Sequence, residues 1–584
     1  MTMRLSPSKV ALLLALAACG GQSKPGGPPA PERVRYDVIL AGGKVMDGTG
    51  NPWFRGDVGI VGDRIRWIGP AGTLAGAQAT TRIDATGLVV SPGFIDIQSH
   101  SWDALLTGDG RVLSKTMQGV TTEILGESTT PGPSNEQFEA TENIRDSARA
   151  ALQRTFRGER GFGAWLDAIG RHPNSVNAGS YLGATTVRAY TMGERAGEPT
   201  PAELDTMRRV VRDAMRDGAF GISTALIYPP GSYATERELT EMAKAMAPYQ
   251  GTYITHMRSE GAQIFAAMDE AFNIGKNGGV PVIIYHLKAS GRCNWDKAPA
   301  VVAKIDSARR AGLDVTTTMY PYSASGNNLG GGIIPGWAEE NGKLLDNIRD
   351  STTRARMIAE MTGRVQTASS EAAAEYAVNP ACGVDPSAIM AVGFRSPQNV
   401  KYNGWRLDSI ARDMNTSWAD AMLDLLATEE GRIGKLTFGM KDENVAMQLS
   451  RPWVTIGSDA GGANPETARG LTHPRAYGTF VRVLGKYARD EGVMSLEEAV
   501  RRMSGATAAQ LGLFDRGLLR PGMFADVVVF DPATVRDRAT YEQPHQLAEG
   551  VRHVFVNGVA VVRDGTHTGA TPGRVVRGPG WGRK

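Results

Sequence analysis

The feature that most limits the possible folds is an alternation of short apolar strands and amphipathic helices through the middle of the chain. Thr200-Pro201-Ala202-Glu203 has the form of a capping box with proline in the first helical turn. Leu204, Met207, Val210, Val211 and Ala214 follow at helical spacing, and Gly218 ends the helix. Strands are expected at 220–224, 252–257, 280–287 and 315–319, with helices over 263–274 and 300–311. Strands returning roughly every 30 residues between helices mean parallel β/α units. Sustained over about 400 residues, that pattern predicts a (β/α)8 barrel. A doubly wound open sheet is the alternative, but no G-x-G-x-x-G turn opens a helix.

The two ends of the chain differ from the middle. Residues 36–47 and 57–68 alternate like antiparallel strands around Gly62-Asp63, and 524–530 is an apolar strand. Residues 553–556 and 559–562 flank Asn557-Gly558, a type I′ hairpin signal. Both ends are expected to pair in one small β-sandwich, built from 35–90 and 509–584, beside a barrel over 91–508; two separate β caps are the alternative. Composition agrees with a globular chain: of 584 residues, 41% are hydrophobic and 21% charged. A net charge of only +3 provides no broad basic surface, so no nucleic-acid partner is expected.

With only eight histidines, their placement is informative. His100, His256 and His286 each stand at the end of an apolar strand, as does Asp459. Those are the C-terminal strand ends where barrel active sites sit. His256 and His286 lie one β/α unit apart, so their rings are expected to enter one cavity. Imidazoles with carboxylates suit a borderline-soft divalent ion such as zinc.

These motifs resemble the amidohydrolase superfamily, and within it the N-acyl-D-amino-acid deacylase branch. The resemblance rests on Ser91-Pro92-Gly93-Phe94-Ile95-Asp96, Gly119-Val120-Thr121-Thr122 and Thr255-His256-Met257-Arg258-Ser259-Glu260. It continues through His286-Leu287-Lys288, Tyr320-Pro321-Tyr322, Gly457-Ser458-Asp459, His473-Pro474-Arg475 and Arg520-Pro521-Gly522-Met523-Phe524-Ala525-Asp526. It implies a metal-dependent hydrolase barrel with a β-sandwich made by both termini, and one or two zinc ions per chain. His100, His256 and His286 match family ligands. Gln98 replaces the first histidine of the usual His-x-His, which puts the second metal position in doubt, since an amide oxygen is a poor zinc ligand. Ser128 stands where the family's bridging cysteine falls, and the neighbouring Glu127 is expected to take that place. Ala184, where relatives often carry histidine, is a further departure.

The resemblance implies hydrolysis of the amide bond of N-acyl-D-amino acids or D-residue peptides by metal-activated water, with Asp459 as general acid and base. It also implies that Lys288, Tyr320 and Arg475 hold the carboxylate of a small substrate, with Tyr322 a rival to Tyr320. An insertion over about 323–399 is expected to cover the active-site mouth. Rival readings are an amidohydrolase for cyclic amides or dipeptides, and a catalytically impaired ligand-binding lipoprotein.

The N-terminus carries an address. Arg4 and Lys9 precede the apolar stretch 10–18, as in a secretory signal spanning 1–18. Leu16-Ala17-Ala18-Cys19 resembles a lipobox, which implies a lipid on Cys19 and a flexible tether through residue 34. The expectation is an exported lipoprotein of the bacterial cell envelope, held on the periplasmic side of the outer membrane by its lipid alone. Cys293 and Cys382 match no small disulfide scaffold and are read as structural or free. Nothing in the sequence specifies an oligomeric state.

Overall fold

The computed structural model describes residues 31–142, 144, 146–365, 371 and 382–583. The leader, Cys19 and most of the tether lie outside the described residues, so those expectations have no structural counterpart here. No helix among the described residues is long and apolar enough to cross a membrane.

Parallel strands follow one another around a ring. Phe94–Asp96 pairs with Val120–Leu125, which pairs with Asn177–Ser180. That last strand continues after Tyr181 as Leu182–Gly183, and from there the order runs Gly221–Ala225, Thr252–His256, Val282–Ile284, Val315–Met319 and Val454–Ile456. The ring closes where Asp459 N donates to Gln98 O at 2.8 Å and Ser99 bridges Ala460 in parallel. Side-chain parity explains the continuous apolar runs. Ile95, Ile124, Ile254 and Ile283 gather inside the ring, while the alternate residues Ile222, Tyr253 and Val282 join the helix residues Met268 and Ala271 in a second core outside it.

The helices obey their sequence signals. Thr200 and Glu203 form the reciprocal capping box of Pro201–Asp217, and Gly218 stops it at φ 102°. A helix the alternation did not mark, Glu236–Met246, is capped by Thr235 and fills the crossover from Gly221–Ala225 to Thr252–His256.

The chain ends meet. Tyr36–Val45, Phe54–Val61, Arg64–Pro70, Ala79–Asp84 and Val89–Pro92 share one nine-stranded sheet with Val527–Phe530, Val551–Val556, Val559–Arg563 and Thr566–His567. The seam is the antiparallel pairing of Val89–Pro92 with Val527–Phe530. Separate caps are thereby excluded, and in hydrogen-bonding terms the expected sandwich is one continuous sheet. Leu40, Val58 and Val90 share a buried cluster with Val527, Val529 and Phe555 from the other end.

Between Met319 and Val454 the chain leaves the barrel. Ser325–Asn328 and Ile389–Val392 pair antiparallel with the central strand Gly434–Thr437. Helices Ser351–Met361, Leu407–Asp413 and Trp418–Thr428 pack there around their own core, including Leu329, Met357, Met422 and Leu425. The unit thus reaches Thr437, beyond the 323–399 drawn from sequence. Its middle strand comes last in the chain, and no local pattern announces that pairing. Cys293 and Cys382 are joined in a disulfide that ties the unit to the loop after Val282–Ile284, which corrects the reading of them as possibly free thiols.

Candidate metal centre and active-site cavity

His100, Glu127, His256, His286, Lys288, Tyr320 and Asp459 reach the site from the ends of barrel strands, whereas Arg475 enters from the first turn of the helix Arg475–Arg482. Gly126 sits at φ 103°, and a Cβ there would lie 2.2 Å from Tyr181 O, so only glycine can make the turn that delivers Glu127 from Val120–Leu125. Ser128, His286 and Asp459 all hold positive φ, at 65°, 35° and 51°. Strain of this kind, about 1–3 kcal/mol per residue, persists where the surroundings over-determine it. At His286 the surroundings include Thr318, whose Oγ1 accepts the His286 backbone N–H at 2.8 Å.

The side chains converge on Glu127. His256 Nδ1 is 3.4 Å and His286 Nε2 3.5 Å from its Oε1, and His100 Nε2 is 3.4 Å from its Oε2. His100 Nε2 also lies 2.9 Å from Asp459 Oδ1. Two groups with metal-ligand spacing result: Glu127, His256 and His286, and His100, Glu127 and Asp459. Contacts of 3.4–3.5 Å exceed ordinary hydrogen bonds, so imidazole nitrogens and carboxylate surround a common point rather than bond one another. Two imidazoles and a carboxylate are a donor set that fits zinc.

Electrostatics reinforce the convergence. Burial would raise the Glu127 pKa, but the three histidines hold it well below the usual carboxylate range. Burial would lower the pKa of His100, yet Asp459 and Glu127 bring it up to about 9. Burial and Lys288 would lower that of His286, but Glu260 and Glu127 raise it to about 9. Asp459 is held low against burial chiefly by Arg475, whose Nη1 lies 2.7 Å from Asp459 Oδ2.

Of the two candidates after the second strand, Glu127 carries its carboxylate into the cluster, whereas the Ser128 hydroxyl pairs with Thr185 Oγ1 at 3.0 Å. Tyr320 lines the cavity, and its buried hydroxyl has no hydrogen-bond partner among the described residues. Tyr322 instead turns its hydroxyl to Pro474 O at 3.5 Å. Arg475 stacks its guanidinium 4.7 Å over the Tyr320 ring and donates to Gly326 O. Lys288 is buried, with Nζ 2.5 Å from Glu260 Oε1 and 2.8 Å from His286 Nδ1.

Glu260 closes the motif that begins at Thr255, and the sequence pattern alone assigns it no role. Its Oε1 lies 2.9 Å from His286 Nδ1, the position from which a carboxylate orients a ligating imidazole. The one available signal was its place four residues after His256. Tyr228 also escaped notice; it packs edge-on against His256 with centroids 5.6 Å apart and takes a hydrogen bond from Asn327.

These residues line a cavity of about 840 Å³ between the barrel strand ends and the inserted unit, which contributes Asn327, Ile333, Cys382 and Lys435 to its walls. Burial pushes the Lys435 pKa down to about 7, and its ammonium is held by the Leu329 and Gly331 carbonyls.

Comparison with known proteins matches this architecture. Residues 81–325 and 442–562 fit the model of the amidohydrolase family, and the stretch between them corresponds to the inserted unit. The chain belongs to the amidohydrolase family. Among members of the family, D-aminoacylase of Alcaligenes xylosoxydans xylosoxydans is 36% identical over 544 residues, 93% of this chain and 97% of that protein. A solved D-aminoacylase, described as having a binuclear metal centre with one-metal activation and second-metal attenuation, superposes with a TM-score of 0.74 at 34% identity, covering 93% of this chain and 100% of that one. N-acyl-D-glutamate deacylase from Bordetella bronchiseptica, solved with zinc and a phosphonate mimic of the tetrahedral intermediate, gives 0.73 at 30% identity over 93% and 100%.

Proposed function

We propose that the protein is a zinc-dependent amidohydrolase that cleaves the amide bond of N-acyl-D-amino acids or D-residue peptides. The observation that carries this reading is the convergence of Glu127 with His100, His256 and His286 beside an Asp459–Arg475 pair, at one end of the barrel and open to a single cavity. Glu127, His256 and His286 would hold the ion, which when bound supplies Lewis acidity toward water and the scissile carbonyl.

The chain's own groups do the rest. Asp459, ionised and aimed by Arg475, accepts the proton of the attacking water and returns it to the leaving amine. Arg475, the unpartnered Tyr320 hydroxyl and Lys288 surround the place for the substrate's free carboxylate, a planar anion suited to a guanidinium. Glu260 holds His286 and offsets the charge of Lys288. The inserted unit supplies one wall of the cavity.

Similarity to D-aminoacylase over almost the whole chain supports the D-amino-acid substrate over cyclic amides, and the intact acid–imidazole cluster disfavours a purely ligand-binding role. Export as a Cys19 lipoprotein of the cell envelope belongs to the same proposal. The disulfide supports it, because such bonds persist in oxidising compartments.

The test is hydrolysis of paired N-acetyl-D- and N-acetyl-L-amino acids by zinc-loaded protein. Release confined to the D series is expected. Equal rates on both series, or cleavage of cyclic amides alone, would contradict the assignment.

A further inference from the structure

We propose that His473 is a positioning residue that ties Arg475 to the edge of the inserted unit, so that the unit takes part in recognising the substrate's carboxylate. This rests on the carboxylate reading of Arg475 above. His473 belongs to the same motif as Arg475 and is only 4% exposed, yet no step of the hydrolysis uses it.

The neighbours of the ring fix where its proton lies. The Arg475 backbone N–H can only donate, and it donates to His473 Nδ1 at 3.0 Å. Nδ1 is therefore an acceptor and carries no proton. Nε2 lies 2.9 Å from Ala324 O, which can only accept, so the proton is on Nε2. Both contacts need the neutral ring, and burial together with the charge of Arg475 disfavours the cation. Tyr322 and Tyr541 pack edge-on against the ring, with centroids 5.3 and 5.4 Å away, and hold its plane.

The acceptor belongs to an edge. Ala324 leads into Ser325–Asn328, the outer strand of the inserted sheet. Ser323 O accepts the Met440 N–H, and the Leu329 N–H reaches Ile433 O. Odd-numbered residues of this stretch thus turn toward Gly434–Thr437, and the carbonyls of Ala324 and Gly326 face the other way, about 7 Å apart. Outward carbonyls on an edge strand need partners. His473 serves Ala324 O, and Arg475 Nη2 serves Gly326 O at 3.0 Å. Arg475 is held at both ends, its backbone N–H by the ring and its guanidinium by the strand, with Nη1 left 2.7 Å from Asp459 Oδ2. That N–H lies in the first turn of Arg475–Arg482, where no helical carbonyl serves it. Without the ring, the guanidinium keeps its hold on Gly326, but its own backbone is no longer fixed against the same strand.

The test measures KM for N-acetyl-D-amino acids and for their C-terminal carboxamides on zinc-loaded full-length protein, in the native chain, His473→Asn, His473→Gln and Arg475→Ala. Asn keeps an acceptor for the Arg475 N–H but does not reach Ala324, whereas Gln keeps a donor for Ala324 and leaves the N–H unserved. Each is expected to raise KM for the free acid about 10-fold, the worth of one hydrogen bond, and KM for the carboxamide less than about threefold, with zinc content kept. A purely structural role would move both substrates alike. An equal rise for acid and carboxamide, or a KM for the acid within about twofold of native in both folded variants, overturns the proposal. Histidine 15N NMR of the native protein is an independent arm and decides alone if neither variant folds. A neutral His473 ring protonated on Nε2 is expected near neutral pH, and an imidazolium or an Nδ1-protonated ring overturns the proposal. Arg475→Ala without effect on KM removes the carboxylate reading and this proposal together. A raised KM in Arg475→Ala beside unaffected His473 variants overturns this one alone.

Discussion

Lys115 is fully buried and spends its ammonium on three acceptors: Asp96 Oδ2 at 2.6 Å, Ala460 O at 2.7 Å and Ser458 Oγ. Glu123, also buried, lies 3.9 Å away, its pKa raised by burial against the pull of Lys115. Lys115→Met removes the one cation paired with this group among the described residues and strands the Asp96 carboxylate. Breaking a buried pair from one side costs about 3–5 kcal/mol, because the remaining charge stays desolvated. Asp96 keeps the Ser458 and Gln98 backbone N–H groups at 2.9 and 3.2 Å, which places the expected loss toward the lower figure. Asp96→Asn added to Lys115→Met removes the stranded charge and is expected to recover more than about 1 kcal/mol of it. Urea unfolding followed by fluorescence and circular dichroism measures both. Because Ser458 and Ala460 flank Asp459, turnover is expected to fall in Lys115→Met while zinc content is kept. A loss below about 1 kcal/mol, or a double variant no more stable than the single one, would refute the reasoning.

Other expectations follow from the same geometry. Arg475→Ala is expected to raise KM for free-carboxylate substrates about 10–100-fold, the worth of a hydrogen bond to a charged group, and to lower kcat because Asp459 loses its partner; an unchanged KM removes the carboxylate clamp. The Cys293–Cys382 bond closes a loop of 89 residues, for which chain entropy gives about 4–5 kcal/mol, so Cys293→Ser/Cys382→Ser is expected to unfold at markedly lower urea. Labelling of both thiols in native protein without reductant would contradict the linkage. His286 is raised to about 9 in the metal-free cluster, so its protonation favours the metal-free fold below its unfolded value, and that contribution is lost as pH rises through about 9. Zinc needs the neutral ring, so zinc affinity of the stripped protein should climb with pH up to about 9, with proton release seen by calorimetry in buffers of different ionisation enthalpy.

The barrel was legible because its signals are local. The Thr200–Glu203 capping box, the Gly218 stop and the apolar strand ends at His256 and His286 each lie within a few residues. The chain ends were legible for the same reason, through the Asn557-Gly558 turn between Val551–Val556 and Val559–Arg563. Long-range pairings were not. The strand Gly434–Thr437 pairs with partners up to about 110 residues away in sequence, and the Cys293–Cys382 bond needed three-dimensional proximity that spacing alone cannot give. At the site, residue types at strand ends marked His100, His256, His286 and Asp459. The bridging position was ambiguous in sequence, because a one-residue offset between Glu127 and Ser128 is resolved only by the turn at Gly126. Glu260 and His473 act through other side chains, and no spacing rule records which ring nitrogen carries a proton.

The most direct test of the central claim is the zinc content and turnover of Glu127→Gln, measured together on one preparation beside the native protein. Loss of zinc and loss of N-acyl-D-amino-acid hydrolysis in parallel, in a protein that still folds, is the expected result. A Glu127→Gln protein that keeps its zinc and its turnover would show that the catalytic ion does not sit on Glu127.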